Sequence, residues 1–502
     1  MTEKREVLHN TVWNISFNLI NRFGGLIFTV IIARLLMPEL FGVYSLVLGL
    51  VLLLISAIDQ GINTTITKYV SEALGKNDKE KASSYFRFLL ALKSLIAFSM
   101  ALILFVFASP IASYIFGKPF ITLPLQIGAI YLFSTSLLTC FVHLFYSLRK
   151  IKFVAMQESL YQVSRLALVF LFMALFKSGL NLGLIFLSLI LAVLLSLSYL
   201  LFLARKNYGF MLKSGKIAID KKRLLRFFLF IAVASMTSSF FIHLDVVMIG
   251  ALLPQAEFIG FYQVASTIAI SLAALITVAN VSLPVFSQLK GKRLQDSFDK
   301  FFKYSAILSI PLSIGLPLVA KPFITIIFGQ EYSAAILPLY FLSFLIFESA
   351  TGVFFTVAIT AKEKPEYIAK FMIIANALNL ILAYALIKNL AHIKPEYGMI
   401  GAALAILISR YFYLATLVVT SREKFNLKLR KNLIYKPLFA SLIMVLFIIS
   451  FDFLFSSNIM LKSLEIILAS AVYFISLFLI KGLHKKDFET VKYLLRLKNS
   501  YS

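Results

Sequence analysis

Apolar windows long enough to cross a bilayer follow one another along nearly the whole chain. They fall at 11–36, 42–66, 84–110, 121–148, 153–177, 180–204, 226–253, 258–284, 301–321, 333–361, 367–388, 397–420, 434–455 and 460–481. Each is a helix-length run, and a helix satisfies its own backbone groups in hydrocarbon. The pattern therefore predicts an all-α polytopic membrane protein with about fourteen transmembrane helices. The first window is interrupted in an informative way. Asn14, Asn18 and Asn21 recur on one helical stripe, Arg22 stands beside them, and Gly24-Gly25 follows. Arg22 falls roughly 16 Å along its window at 1.5 Å per residue, near mid-depth.

The polar connections alternate in charge. Thirty-eight of the forty-nine Lys and Arg fall on the side of the N-terminus and six on the opposite side. That asymmetry predicts cytoplasmic N- and C-termini in a cell membrane. It also changes the meaning of the formal net charge of +26. In a soluble chain such a charge suggests nucleic acid; here it reads as topology and contact with anionic lipids, with no nucleic-acid partner. Sixty per cent of residues are hydrophobic and 14% charged, outside the soluble range. The N-terminal MTEKREVLHN leads into the first window without a small-residue cleavage site and reads as a signal-anchor. In the tail, Phe488, Val491, Leu494 and Leu495 recur at helical spacing among Lys and Arg, which predicts an amphipathic helix on the membrane face. One Cys, Cys140, lies inside a window, so there is no disulfide framework, and no Cys/His metal spacing or P-loop occurs. No cofactor is expected.

The chain also repeats itself. RLLMPELFGVYSL (34–46) is echoed by ALLPQAEFIGFYQV (251–264), placing Gly42 over Gly260 and Tyr44 over Tyr262. IASYIFGKPF (111–120) is echoed by FITIIFGQEY (323–332), and SGLNLGLIF (178–186) by EYGMIGAAL (396–404). The organisation expected is a six-helix bundle over 1–205, a linker over 206–225 and a second bundle over 226–421. Two additional helices over 422–482 and a tail over 483–502 follow. An even number of spans per bundle gives both the same orientation, a parallel repeat. Arg22 aligns with Ser239 or Phe240, so the repeats share a frame but not their charges.

Four stretches carry a family resemblance: ARLLMPELFGVYSL; DQGINTTITKYVSEALGKNDKEKA (59–82); LDVVMIGALLPQAEFIGFYQVAS (244–266); and NALNLILAYALIKN with EYGMIGAALAILIS (376–409). In this order the chain resembles the polysaccharide biosynthesis (oligosaccharide flippase) family of the multidrug/oligosaccharidyl-lipid/polysaccharide exporter superfamily. The resemblance implies a flippase that moves a polyprenyl-diphosphate-linked oligosaccharide from the inner to the outer leaflet by alternating access. A peptidoglycan-precursor flippase and a cation-coupled multidrug exporter are the alternatives. It implies a lipid-linked oligosaccharide as partner and leaves H+ or Na+ as coupling ion open. An enzyme is disfavoured, because the outer connections are too short to hold a catalytic site.

Moving such a lipid requires cations for the diphosphate, and amides and hydroxyls for the sugars. Ionisable groups inside spans are functional candidates by default. The cavity candidates are Arg22, Arg165, Arg410, Lys93, Asn18, Asn21, Asn376 and Asn379. Each has a plainer reading as a brace or glue between helices. Arginine suits phosphate because its fork bonds two oxygens at once. The coupling or gating candidates are Glu348, Asp245, Asp59 and the Gly24-Gly25 pair. Glu348 is also placed to pair with an Arg. His243 and Asp245, two apart on a helix, do not share a face and make a poor metal pair.

Overall fold

The computed structural model describes residues 3–176, 181–213, 220–276, 286–289, 291–362, 364–454 and 459–483. Among them every regular element is helical. The principal helices are α1 (Glu3–Gly75), α2 (Lys79–Val106), α3 (Thr122–Ser147), α4 (Ile151–Leu175) and α5 (Leu182–Tyr208). They continue with α6 (Lys221–Leu252), α7 (Glu257–Ile276), α8 (Gly291–Leu318), α9 (Leu345–Ala361) and α10 (Pro365–Ile393). The series ends with α11 (Tyr397–Phe425), α12 (Asn432–Leu454) and α13 (Ile459–Leu479).

Ten helices among the described residues are long and apolar enough to cross a membrane, and eleven when the bent pair Gln330–Leu342 and Leu345–Ala361 counts as one span. The number is lower than fourteen for identifiable reasons. The first two windows lie within α1, and the seventh and last are represented by shorter apolar helices, Ser239–Leu252 and Leu464–Leu479. The expected tail helix lies outside the described residues.

The chain forms two compact units: residues 1–263 with 379–402, and residues 264–378 with 403–502. In the first, α1 is the spine, packing along α2, α3, α4 and α6. Phe28, Ile32, Ala33 and Leu36, then Phe41, Val43, Leu46 and Val47, are buried along it. Its one break is Met37, at φ 60 and ψ 168. Pro38 explains the position, since the residue before a proline is pushed out of helical geometry. Gly24 and Gly25 lie in unbroken helix.

The repeated motif meets its own copy beyond this break. A Cβ on Gly42 would overlap the carbonyl oxygen of Ala256, and one on Gly260 would overlap that of Pro38. Pro38 and Ala256 are themselves equivalent at the same offset, so the contact is reciprocal. Glycine is required because the two backbones cross without room for a side chain. Nearby, Lys118 is buried rather than displayed on a loop. Its ammonium donates to the carbonyls of Gly250 (2.8 Å), Leu253 (2.7 Å) and Phe116 (3.2 Å). It thus caps the C-terminal end of α6, where carbonyls lack helical partners and a cation is favoured. Burial pulls its pKa below the ordinary lysine range.

In the second unit, α12 and α13 pack on α8 through Ile307, Ala440, Met444, Ile448, Ala469, Tyr473 and Leu477. The Tyr473 hydroxyl donates to the Ile307 carbonyl at 2.7 Å. The connection ahead of α12 is fastened to the start of α8. Lys428 N–H donates to Gln295 Oε1, Gln295 Nε2 donates to the Lys428 carbonyl, and Arg430 pairs with Asp299 at 2.8 Å.

Candidate functional site

The first unit encloses a cavity of about 880 Å³, bounded by α1, α3, α4 and α5. Helix α4 supplies its polar wall. Gln157, Glu158, Tyr161, Gln162 and Arg165 recur at steps of one, three and four, which places them on one helical face. Helix α1 contributes Phe17, Asn21, Gly25 and Tyr44, and α3 contributes Tyr131, Thr135, Thr139, His143 and Tyr146. Polar groups converge here from a lining of aliphatic and aromatic side chains, the composition expected of a ligand site.

Arg165 ends that wall and is 8% exposed. Its Nη2 donates to the Gly24 carbonyl at 3.0 Å and to Gln162 Oε1. Its guanidinium carbon lies 4.1 Å from the Phe28 ring centre and 5.0 Å from that of Tyr161. Its Nε has no hydrogen-bond partner among the described residues. Nor does any described carboxylate lie at ion-pair distance from it. Gly24 makes the approach feasible, because a Cβ there would sit 2.7 Å from the Gln162 side chain. Gln162 in turn donates from Nε2 to Glu158 Oε1 at 2.6 Å. A carboxylate, an amide and a guanidinium therefore run along α4 as one hydrogen-bonded rail.

A second polar cluster joins α1, α2 and α3 and meets the cavity at Thr139. Lys93 on α2 is fully buried and pairs with Asp59 on α1 at 3.0 Å. Its ammonium also donates to Asn63 Oδ1 (2.6 Å) and Thr139 Oγ1 (2.8 Å). Ser136 and Thr139 on α3 donate to the two Asp59 oxygens. Every donor of the ammonium is used, and the charge is neutralised locally. His143, on the cavity side, shares a hydrogen bond of 2.9 Å with Thr67.

The structure sorts the remaining sequence candidates. Asn21 lines the cavity, whereas Arg22 beside it is exposed and is not among the lining residues. Asn18 is half-buried, and the side chain of Asn14 lies outside the described residues. Asp245 is buried in the first unit, accepting from the Tyr262 hydroxyl at 2.9 Å and from Asn379 Nδ2 at 3.1 Å. In the second unit Arg410 lies on Glu348, with Nη2 at 2.7 Å and Nε at 2.9 Å from one carboxylate oxygen. Asn376 there donates to the Met372 carbonyl at 3.0 Å, within its own helix. No group of three potential metal-ligating side chains occurs among the described residues.

The sequence candidates missed the α3 side of the cavity and, on α4, Gln157, Glu158, Tyr161 and Gln162. Glu158 lies near the start of its window, where an acid reads as interfacial. The signal available for the α4 residues was their common helical face with Arg165.

Comparison with known proteins places this architecture. The sequence profile of the family described as polysaccharide biosynthesis protein matches residues 7–290. A probable low-salt glycan biosynthesis flippase, Agl15 of Haloferax volcanii, is 27% identical over 195 residues, 38% of this chain and 40% of that protein. The teichuronic acid biosynthesis protein TuaB of Bacillus subtilis is 33% identical over 98 residues, 19% of this chain and 20% of that one. The chain thus aligns with well under half the length of either relative. Among solved structures, the lipid II flippase MurJ in an inward closed conformation superposes with a TM-score of 0.73 at 16% identity, covering 93% of this chain and 98% of that one. An inward-facing multidrug resistance MATE family transporter of the MOP superfamily gives 0.59 at 12% identity, covering 83% and 94%. At these identities the likeness establishes the fold.

Proposed function

Because the chain belongs to the polysaccharide biosynthesis protein family, we propose that this multi-pass membrane protein is a flippase for a polyprenyl-diphosphate-linked oligosaccharide, with the first-unit cavity receiving the head group. The observation that carries the reading is Arg165. A buried cation ordinarily requires a charged partner, because desolvation costs several kcal/mol per ion. Lys93 and Arg410 have carboxylates; Arg165 has amide and carbonyl oxygens, two aromatic faces and a place in the cavity lining. Its missing counter-ion is supplied by the cargo. A guanidinium suits a diphosphate, and Asn21, Gln157 and the tyrosines around the cavity suit sugar hydroxyls.

In this reading transport runs from the cytoplasmic to the outer leaflet, with a cytoplasmic N-terminus supported by the charge asymmetry of the connections. The cargo crosses without covalent change. An inside-negative potential assists an anionic head group moving outward, by about 2.3 kcal/mol per charge per 100 mV. The test is translocation of a fluorescent polyprenyl-diphosphate oligosaccharide in proteoliposomes. Arg165→Gln, checked for folding by its melting curve, is expected to slow transport by at least about tenfold, the equivalent of 1.4 kcal/mol. Arg165→Lys is expected to restore part of the loss, since lysine keeps the charge but not the fork. Full activity in a folded Arg165→Gln protein sinks the assignment.

A further inference from the structure

The cavity wall carries an acid as well as a cation, and the two are held at a fixed spacing. Glu158 and Arg165 stand seven residues apart on α4, about 10 Å along the helix axis. Gln162 bridges the interval, its carbonyl oxygen accepting from the guanidinium and its NH2 donating to Glu158. The bridge occupies only Oε1 of Glu158; Oε2 has no hydrogen-bond partner among the described residues. Glu158 is 7% exposed and lines the cavity. Its neighbour Gln157 is 2% exposed, lines the same cavity, and has no side-chain hydrogen bond among the described residues. The free polar atoms of both side chains open on the cavity rather than into packed protein, so the partners they take come from what the cavity holds.

Resting on the flippase reading, the geometry points to a charge-selective sugar subsite: Gln157 and Glu158 bind hydroxyls of an uncharged sugar beside the diphosphate held by Arg165, and they reject a uronate there. A carboxylate accepts hydrogen bonds and donates none, so Glu158 Oε2 takes the O–H groups of a neutral ring. The Gln157 amide supplies both a donor and an acceptor to the same ring. A sugar carboxylate in that position meets the Glu158 charge across a cavity that screens poorly, and like-charge juxtaposition is costly. The adjacent Arg165 does not cancel the effect, because its charge is engaged by the diphosphate.

The test separates binding from transport. Two soluble disaccharide diphosphates, identical except for CH2OH or COO− on the sugars, are titrated by calorimetry into the full-length protein in detergent. The wild type is expected to bind the neutral compound at least about tenfold more tightly, a difference of 1.4 kcal/mol. Glu158→Gln is expected to bring the two affinities within about twofold, since its amide oxygen still accepts from Gln162. Glu158→Asp, which keeps the charge, is expected to retain the preference. Equal binding by the wild type, or an undiminished preference in Glu158→Gln, overturns the subsite. Selective binding without translocation of either lipid-linked form in proteoliposomes overturns the flippase reading and leaves the subsite standing. Failure of both compounds to bind overturns the two together.

Discussion

Lys93 and Arg165 are cations buried to nearly the same extent within one unit, and their surroundings treat them in opposite ways. Lys93 is closed off. Asp59 neutralises it, Asn63 and Thr139 take its remaining donors, and three helices are joined in the process. Arg165 is held but not neutralised. The Gly24 carbonyl and Gln162 hold it, the Phe28 and Tyr161 rings lie against it, and it lines the cavity. The difference lies in what each group does for the fold. The first charge is spent on joining helices, whereas the second is kept available for a ligand. Burial alone does not separate the two roles; the identity of the partner does.

The comparison breaks most sharply at Asp59. Asp59→Asn strands the Lys93 ammonium without its counter-ion, and removing one partner of a buried pair costs about 3–5 kcal/mol. The melting temperature of the protein in detergent is expected to fall accordingly. The double variant Asp59→Leu with Lys93→Met removes both charges and is expected to regain most of that loss, because well-packed apolar residues commonly replace a buried pair without penalty. A stable Asp59→Asn protein would show that the cluster is not the brace described. Arg165→Gln offers the contrast: its effect is expected in cargo binding and transport, with a smaller change in melting.

The helical architecture was legible because hydrocarbon leaves so few solutions, and windows of helix length report it directly. The equivalence of Gly42 and Gly260 was legible as an alignment of two motifs, but their crossing emerged only from the structure. Within the candidate site, the sequence marked Arg165 and Asn21 but also marked Lys93 and Arg22 as cavity residues. An intramembrane charge announces a role without disclosing its partner. The Asp59–Lys93 pairing depends on the relative rotation of α1 and α2, which a hydrophobic pattern does not specify. The capping role of Lys118 was not legible, because its acceptors, the carbonyls of Gly250 and Leu253, lie more than a hundred residues away. The Arg410–Glu348 pair was the exception, since an acid and a base near mid-depth have few other partners.

That pair supplies an intermediate case. The Arg410 side chain is 23% exposed, against 4% for Glu348. Glu348→Gln therefore leaves a partly hydrated guanidinium, and the cost is expected to be smaller than at Asp59, about 1–3 kcal/mol by melting. Arg410→Gln leaves the more deeply buried carboxylate and is expected to cost more than Glu348→Gln. The reverse order would mean that packing of the long arginine stem, rather than its charge, decides the stability of this region.

The smallest effect tests the comparison most finely, because it uses two threonines one turn apart on α3. Thr139 belongs to the closed cluster: its hydroxyl accepts from Lys93 and donates to Asp59. Thr135 lines the cavity as Thr139 does, but its buried hydroxyl has no hydrogen-bond partner among the described residues. Valine is nearly isosteric with threonine and removes only the hydroxyl. Thr139→Val deletes hydrogen bonds to two charged groups and is expected to cost about 1.5–3 kcal/mol. Thr135→Val deletes a group the fold does not use and is expected to change stability by no more than about 0.5 kcal/mol. Equal losses from the two substitutions would mean that Thr135 is tied into the fold as firmly as Thr139, and the division between a closed cluster and an open cavity wall would not hold on α3.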